Sequence, residues 1–365
     1  MRLDLSDDQQ FFVETLRRFV AGETPIDAVR ARIDADEVFD RGWWRQAAEL
    51  GVASFLVPEE FGGGSVSGRG PVDLAIVAEE FGRAVVPSPL VPVNVVAETL
   101  GRSGNTSHRE LLGGVIDGST VLAWAYDVAG DVTATPAADG FTLRGAVAAV
   151  EAADQADYVL VSVATPDGPT QFLLPVTAPG LSVERQGGLD LLKRFGRVRF
   201  DGVTVAADDI VGGVGGADDD IVRQRQITNL LQCAEMCGAA ARVLEFTIEY
   251  AFDRFSFGRP LASYQALKHR FADMKLWLEA GFAITDQAAD AAAVGADPAG
   301  LVHAAKSYVG DRSVDLIQDC VQLHGGIGVT WEHDIHLYLR RATVDRGLFG
   351  SPSDHRAALA AVVGL

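Results

Sequence analysis

Apolar positions along this chain change their period twice. From residue 7 onward Phe12, Leu16, Phe19 and Val20 recur at helical spacing. Ser6 and Gln9 precede that face at the offset of a capping box, with Asp7 and Asp8 in the first turn, where the helix dipole favours anions. Further helices are predicted over 40–50 and 71–85, and one or two more across 92–116. Near residue 119 the pattern turns to short β-rich runs, TVLAWAY, DYVLVSV, TQFLLPV and RVRFDGVTV, separated by turn signals such as PDGP and ADG. In the last run Val198, Phe200, Val203 and Val205 are the apolar members, and Asp201-Gly202 marks a bulge or turn between them. GGVGGADDD at 212–220 leads out of this region. Helical period then returns. Leu230, Ala234, Cys237, Ala241, Leu244, Ile248 and Ala251 alternate steps of four and three, and similar stripes run through Leu267–Phe282 and Leu301–Leu323. Such stripes predict long helices packed at shallow angles in a four-helix bundle.

Helices, then strands, then helices make an α+β order and argue against a doubly wound sheet. The expected domains are an N-terminal helical domain (1–118), a small middle β-domain read as an antiparallel sheet (119–211) and a C-terminal four-helix bundle (218–365). The length, 365 residues, suits two or three packed layers, and 48% hydrophobic with 22% charged residues is a globular composition. A formal net charge of −19 argues against nucleic acid or an anionic membrane surface as partners, since both need a basic footprint. It leaves room for a local basic patch facing a small anion. Three cysteines make no disulfide framework; Cys233, Cys237 and Cys320 read as buried small hydrophobes. MRLDLSDDQQ carries no apolar run, and nothing approaches the ~18 apolar residues of a membrane span. A soluble cytoplasmic protein is expected.

Two motif hints carry little chemistry. WEHDIH at 331–336 sets His333 and His336 three apart near Glu332, without the His-Glu-x-x-His order of a zinc helix, so capping or surface pairing is expected and no metal site. GGGSVSG at 62–68 lacks the Lys-Ser/Thr of a phosphate loop and reads as a flexible loop.

The segments YAFDRFSFGRPLASYQALKHRFADM (250–274) and QLHGGIGVTWEHDIHLYLRRA (322–342) are more specific. Taken singly, Arg254 reads as a surface ion pair, Phe257 as core and Gly325-Gly326 as a turn. Together, in this order and within one helical domain, they resemble the acyl-CoA dehydrogenase family of flavoproteins, and the domain order matches along essentially the whole chain. The resemblance implies that Arg254, Phe257, Gln265, Gln322, Gly325 and Gly326 grip the diphosphate and adenosine half of an FAD whose flavin sits in a neighbouring subunit. The residue types suit that role. Arg254 offers a planar fork of donors to a diphosphate, Phe257 a flat apolar face, and Gln265 and Gln322 both donors and acceptors. Gly325 and Gly326 let backbone N–H groups approach closely.

The same comparison exposes losses. Family members abstract the acyl α-proton with a Glu in one of two places. The run LFGS puts Phe349 at one and Ser351 at the following Thr; Thr228 falls at the other, beside Asn229 where the family often carries an Arg near CoA. Neither Phe349 nor Thr228 can act as a base. Glu235, about two helical turns beyond Thr228, is a weak candidate for a displaced base and reads more naturally as ion-paired. In the β-domain LAWAYDVAGD (122–131) keeps Ala129, Gly130 and Asp131 but lacks the family's Thr-Glu-Pro and Ser. AVAAVEAAD (146–154) replaces the flavin-packing Trp and adjacent Thr with small apolar residues. The implied reading is a subunit without a catalytic residue of its own. It shares FAD at the interface with a catalytic partner, in an α2β2 acyl-CoA dehydrogenase of the kind that acts on steroid side-chain CoA thioesters. An active homotetramer with a relocated base and a degenerate structural or regulatory relative are the alternatives.

Overall fold

The computed structural model describes residues 5–127 and 129–365. α1 (Asp7–Glu23) starts on the expected capping box: Ser6 Oγ accepts from the Gln9 amide, and Gln9 Oε1 accepts from the Ser6 amide at 3.1 Å. α2 (Ile26–Asp34) is a short helix that the apolar pattern does not announce, because Val29 is its one buried residue. α3 (Arg41–Glu49) is capped by Asp40, whose carboxylate accepts from the Gly42 and Trp43 amides. α4 (Gly70–Arg83) and α5 (Leu90–Arg102) are buried along most of their length, and α6 (Arg109–Ile116) closes the domain. The Gly-rich loop before α4 is tied down rather than flexible. Ser67 bonds Asp73 through both its amide and its hydroxyl, and a Cβ on Gly63 would meet the Val57 carbonyl oxygen at 1.9 Å.

The middle region corrects the expectation of one antiparallel sheet. It holds two four-stranded sheets. The first takes β1 (Leu122–Tyr126), β4 (Tyr158–Thr165), β5 (Gly168–Pro175) and β8 (Ile210–Val211) in that order. The second takes β2 (Thr133–Ala137), β3 (Gly140–Glu151), β7 (Phe195–Ala206) and β6 (Leu181–Gln186). β1 and β4 pair in parallel, Leu122 opposite Tyr158, because the intervening chain crosses into the other sheet and returns. Phe141 and Phe172, 5.4 Å apart, join the two sheets. The bulge at Asp201-Gly202 is present: Arg144 pairs Asp201 and Leu143 pairs Val203, leaving Gly202 as the extra residue at φ +72°.

The C-terminal region is built from α7 (Asp218–Asp253), α8 (Gln265–Ala293), α9 (Ala299–His324), α10 (Ile335–Gly347) and α11 (Pro352–Val362). Between α7 and α8 runs a two-stranded ribbon, β9 (Phe255–Ser256) against β10 (Arg259–Pro260). One apolar core runs from the N-terminal helices into the β-domain, and a second fills the bundle and takes in all three cysteines. α4 crosses α7 with backbone nearly on backbone. A Cβ at Gly238 would lie 1.9 Å from the Glu79 carbonyl oxygen, and one at Gly82 would lie 2.1 Å from that of Glu235. That crossing fixes the stretch of α7 that carries Thr228 and Glu235.

Candidate functional site

The residues singled out in the sequence fall into two places. The first is the exposed end of the bundle. Tyr250, near the end of α7, stacks on His324 at the end of α9 (4.4 Å between centroids), and its hydroxyl donates to the His324 carbonyl at 3.3 Å. This contact brings the two motifs together. Arg254 is the residue that ends α7, one turn past Tyr250, and Gly325 follows His324 directly. Arg254, Gln265, Gln322, Gly325 and Gly326 are all exposed. Gly325 lies at φ 66° and ψ −138°, a conformation open only to glycine. No atom beyond the immediate chain neighbours comes within 4 Å of where a Cβ on Gly325 or Gly326 would sit, so both positions face open space.

Phe257 departs from the core reading. It is 98% exposed. Phe257 and Gly258 form the two-residue turn between β9 and β10, with φ of 49° and 78°. Both values are positive, as a type I′ hairpin requires, and the first is a conformation that costs a Phe about 1 kcal/mol or more. Tyr264 braces the ribbon from below: its hydroxyl donates to the Ser256 carbonyl at 2.7 Å, and the Arg259 guanidinium lies 3.8 Å over its ring. A strained aromatic is thus held out into solvent beside two accessible glycine amides, an arginine and two glutamines. That donor set suits a diphosphate joined to a flat heterocycle.

The second place is the cleft between the β-domain and the bundle, and it is filled. Phe349 stacks on Trp124 (5.4 Å, 9° between planes), and Trp124 stacks on Tyr126 (5.2 Å, 14°). Trp124 and Tyr126 are two apart on β1, so their rings share a face. Trp124 Nε1 donates to Ser162 Oγ at 2.9 Å. Gln171 Nε2 also reaches Ser162 Oγ and Gln224 Oε1, and Gln224 Nε2 reaches Thr99 Oγ1, each at 2.7 Å. This buried chain of side chains anchors the plug to α7 and α5. Ser351 is used as the N-cap of α11, accepting from the Asp354 amide. What remains is a cavity of about 30 Å³ bordered by Trp124, Ala149, Glu151, Thr228 and Phe349. One or two water molecules fit such a volume; an isoalloxazine ring or an acyl chain does not.

Beside the plug lies a buried set of charges that the sequence reading did not find. The Arg341 guanidinium pairs with Asp190 and Glu235, and Lys193 Nζ sits 2.8 Å from Glu235 and 2.6 Å from Asp345. Lys306 bonds Gln232 and the Asp345 carbonyl. Burial alone would raise the Glu235 pKa, but Lys193 and Arg341 reverse this and bring it to about 2. Glu235 is therefore an ionised, fully engaged partner of two cations. Burial pushes Asp345 up to about 7 and moves Glu151 in the same direction. Glu151, in the AVAAVEAAD segment, lines the cavity. The signals were available as charges inside otherwise apolar runs: Lys193 in LLKR, Arg341 in RRA, Glu151 after AVAAV. Thr228 is buried with its hydroxyl unpartnered, and Asn229 Nδ2 donates to the Arg225 carbonyl. His333 Nδ1 accepts from the Ile335 amide at the start of α10. Val128, inside the LAWAYDVAGD segment, and residues 1–4 lie outside the described residues.

Profiles of the acyl-CoA dehydrogenase N-terminal and C-terminal domains match residues 6–119 and 223–364. The chain is 31% identical over 363 residues to acyl-CoA dehydrogenase IpdE2 of Mycolicibacterium smegmatis, covering 98% of this chain and 100% of that one. This protein belongs to the acyl-CoA dehydrogenase family. Among solved structures it resembles a variant of the Tcur3481-Tcur3483 steroid ACAD, with TM-score 0.88, 30% identity and 98% of each chain covered. It also resembles a chain of the ChsE4-ChsE5 complex of Mycobacterium tuberculosis, with TM-score 0.89, 25% identity, 100% of this chain and 99% of that one. The acyl-CoA dehydrogenase fold therefore holds, with N-terminal helices, middle sheets and C-terminal helices in order. Among the described residues no helix is long and apolar enough to cross a membrane.

Proposed function

We propose that this chain is the non-catalytic subunit of a heteromeric, cytoplasmic acyl-CoA dehydrogenase. In this reading a second, catalytic family member supplies the acyl-CoA cleft, the flavin pocket and the carboxylate base, in an α2β2 assembly. The chain contributes the exposed end of its bundle as a clamp on the adenosine-diphosphate half of the partner's FAD. Bound FAD would accept the hydride that leaves the acyl β-carbon. Arg254 would hold the diphosphate, Gln265 and Gln322 the ribose and adenine edges, Gly325 and Gly326 would offer amides, and Phe257 would cover the heterocycle. A steroid side-chain CoA thioester is the proposed substrate class, supported by the names of the steroid ACAD and of the two-component complex that the chain resembles.

One observation carries this reading. Where the family places its base, Phe349 stacks on Trp124, and about 30 Å³ is left of the cleft. A chain whose own cleft is packed with its own rings cannot seat a flavin there, while its clamp residues face outward. The test is to purify the chain alone and with a catalytic acyl-CoA dehydrogenase partner, which is expected to be encoded in a neighbouring gene. The expected result is colourless or unstable protein alone, and a yellow, active complex with one FAD per pair of unlike chains. A yellow homo-oligomer that reduces its flavin with an acyl-CoA would refute it, and colourless protein in both preparations would favour a structural role.

A further inference from the structure

The charges behind the aromatic plug do not balance. Four carboxyl groups, on Glu151 of β3, Asp190 of the 187–194 connection, Glu235 of α7 and Asp345 of α10, face three cations, Lys193, Lys306 and Arg341. The side chains of Lys193, Glu235, Arg341 and Asp345 are at most 8% exposed and that of Glu151 is 10% exposed. The other ionisable groups packed nearby are Cys233 of α7, whose thiol burial pushes up to about 12, and His355 of α11, pushed down to about 4. Both are neutral at pH 7. Fully ionised, the set would bury one uncompensated negative charge, and a protein interior avoids that by neutralising a group.

Geometry decides which group. Asp190 and Glu235 each bond the Arg341 guanidinium, and Glu235 and Asp345 lie within 2.8 Å of Lys193 Nζ. Glu151 comes no closer than 3.9 Å to Lys193 and has the least compensation of the four. It also lines the 30 Å³ cavity that Thr228, with its unpartnered hydroxyl, lines as well, and that volume has room for a water. We propose that this cluster is a one-proton binding site, in which Glu151 is kept as the neutral acid at pH 7 and its neutrality lets the β-domain seal against the bundle. The proton comes from solvent as the interface closes and returns to solvent when it opens. Burial also lowers the Lys306 pKa to about 8, so alkaline conditions remove a cation just as Glu151 would gain its charge. Loss of the proton therefore loosens the latch and the plug together. This goes beyond the accessory-subunit reading and holds whether or not that reading does.

The experiment is infrared difference spectroscopy on the full-length chain, in the assembly in which it purifies, at pH 7 in buffers with and without potassium. A protonated-carboxyl C=O band is expected in the wild type and is expected to disappear in Glu151→Gln, which mimics the neutral acid in size and hydrogen bonding. Raising the pH to 9 should shift the wild-type tryptophan emission to the red as Trp124 meets solvent, and the Glu151→Gln variant should show less than half that shift. Labelling the chain with 13C-glutamate should shift the wild-type band; a band that does not shift, or that persists in Glu151→Gln, puts the proton on another group and overturns the assignment. Absence of any such band also overturns it, by full ionisation or, where signals change with potassium, by a bound cation.

Discussion

Removing the plug ring tests the filled cleft directly. Phe349 is half-buried, so its truncation to Ala should cost about half of the ~3–5 kcal/mol of a core Phe, roughly 2 kcal/mol. Losing the near-parallel stack on Trp124 adds about 1 kcal/mol, for a total near ~3 kcal/mol. The backbone makes a second, sharper prediction. Phe349 sits at φ +58°, where any residue with a Cβ is strained by about 1–2 kcal/mol. Phe349→Gly deletes the same ring but relieves that strain. The glycine variant should therefore be the more stable of the two by about 1 kcal/mol, inverting the usual order of Ala over Gly. The assay is the urea midpoint of the purified full-length protein, with near-ultraviolet circular dichroism reporting the Tyr126–Trp124–Phe349 stack. Both variants should lose dichroism, and neither should change the FAD content of the proposed complex, because the proposed FAD contacts lie at the other end of the bundle. An alanine variant as stable as the wild type, or more stable than the glycine variant, would refute the packed plug and its strained turn.

Arg254→Ala should weaken FAD retention in the complex by about thirtyfold, the loss of ~2 kcal/mol for a charge-assisted pair with a diphosphate, read as FAD per protein by absorbance after gel filtration. Phe257→Gly should raise thermal stability by about 1 kcal/mol through relief of its positive φ, while lowering FAD retention; a variant that loses stability would contradict the exposed, strained turn. Glu235→Gln should cost about 3–5 kcal/mol, since it leaves Lys193 and Arg341 short of a buried anion. The Glu235 pKa is held near 2, below its ordinary value, so its contribution is complete above about pH 4.5 and is lost as pH falls towards 2. The variant should therefore show a flatter acid limb in a pH series of thermal midpoints. Phe349→Glu should give no turnover, because a carboxylate placed there enters a cavity that has no room for flavin or substrate.

The sequence was legible where chemistry repeats along one element. The helical stripes gave the bundle because a period near 3.6 over thirty residues has few other readings. The family could be read because Arg254, Phe257 and Gly325 lie in two short segments whose order is itself informative. The second sheet could not be read, for nothing local in TVLAWAY or DYVLVSV states that they run parallel; that follows from a crossing through residues 133–151. α2 was missed because one buried Val in nine residues leaves no stripe. The charge cluster stayed hidden for a different reason. Glu151, Lys193, Glu235, Lys306 and Arg341 come from five separated segments, and each alone looks like a surface charge until folding buries them together.

Two positive-φ phenylalanines show how the two sites differ in what they serve. Phe349 is strained, yet its ring is stacked within the chain, and the packing it makes with Trp124 outweighs the backbone cost. Phe257 carries a comparable cost and recovers nothing inside the chain, since 98% of it faces solvent. A fold left to itself would gain by placing Asn or Gly at that turn, the residues a type I′ hairpin favours. The proposed FAD contact would account for an aromatic at that turn, near Arg254 at the end of α7. The cleft shows the opposite balance: Phe349 repays its backbone cost by stacking on Trp124 inside the chain. Strain without an internal partner at one turn, and strain repaid by an internal stack at the other, is the asymmetry that the accessory-subunit proposal predicts.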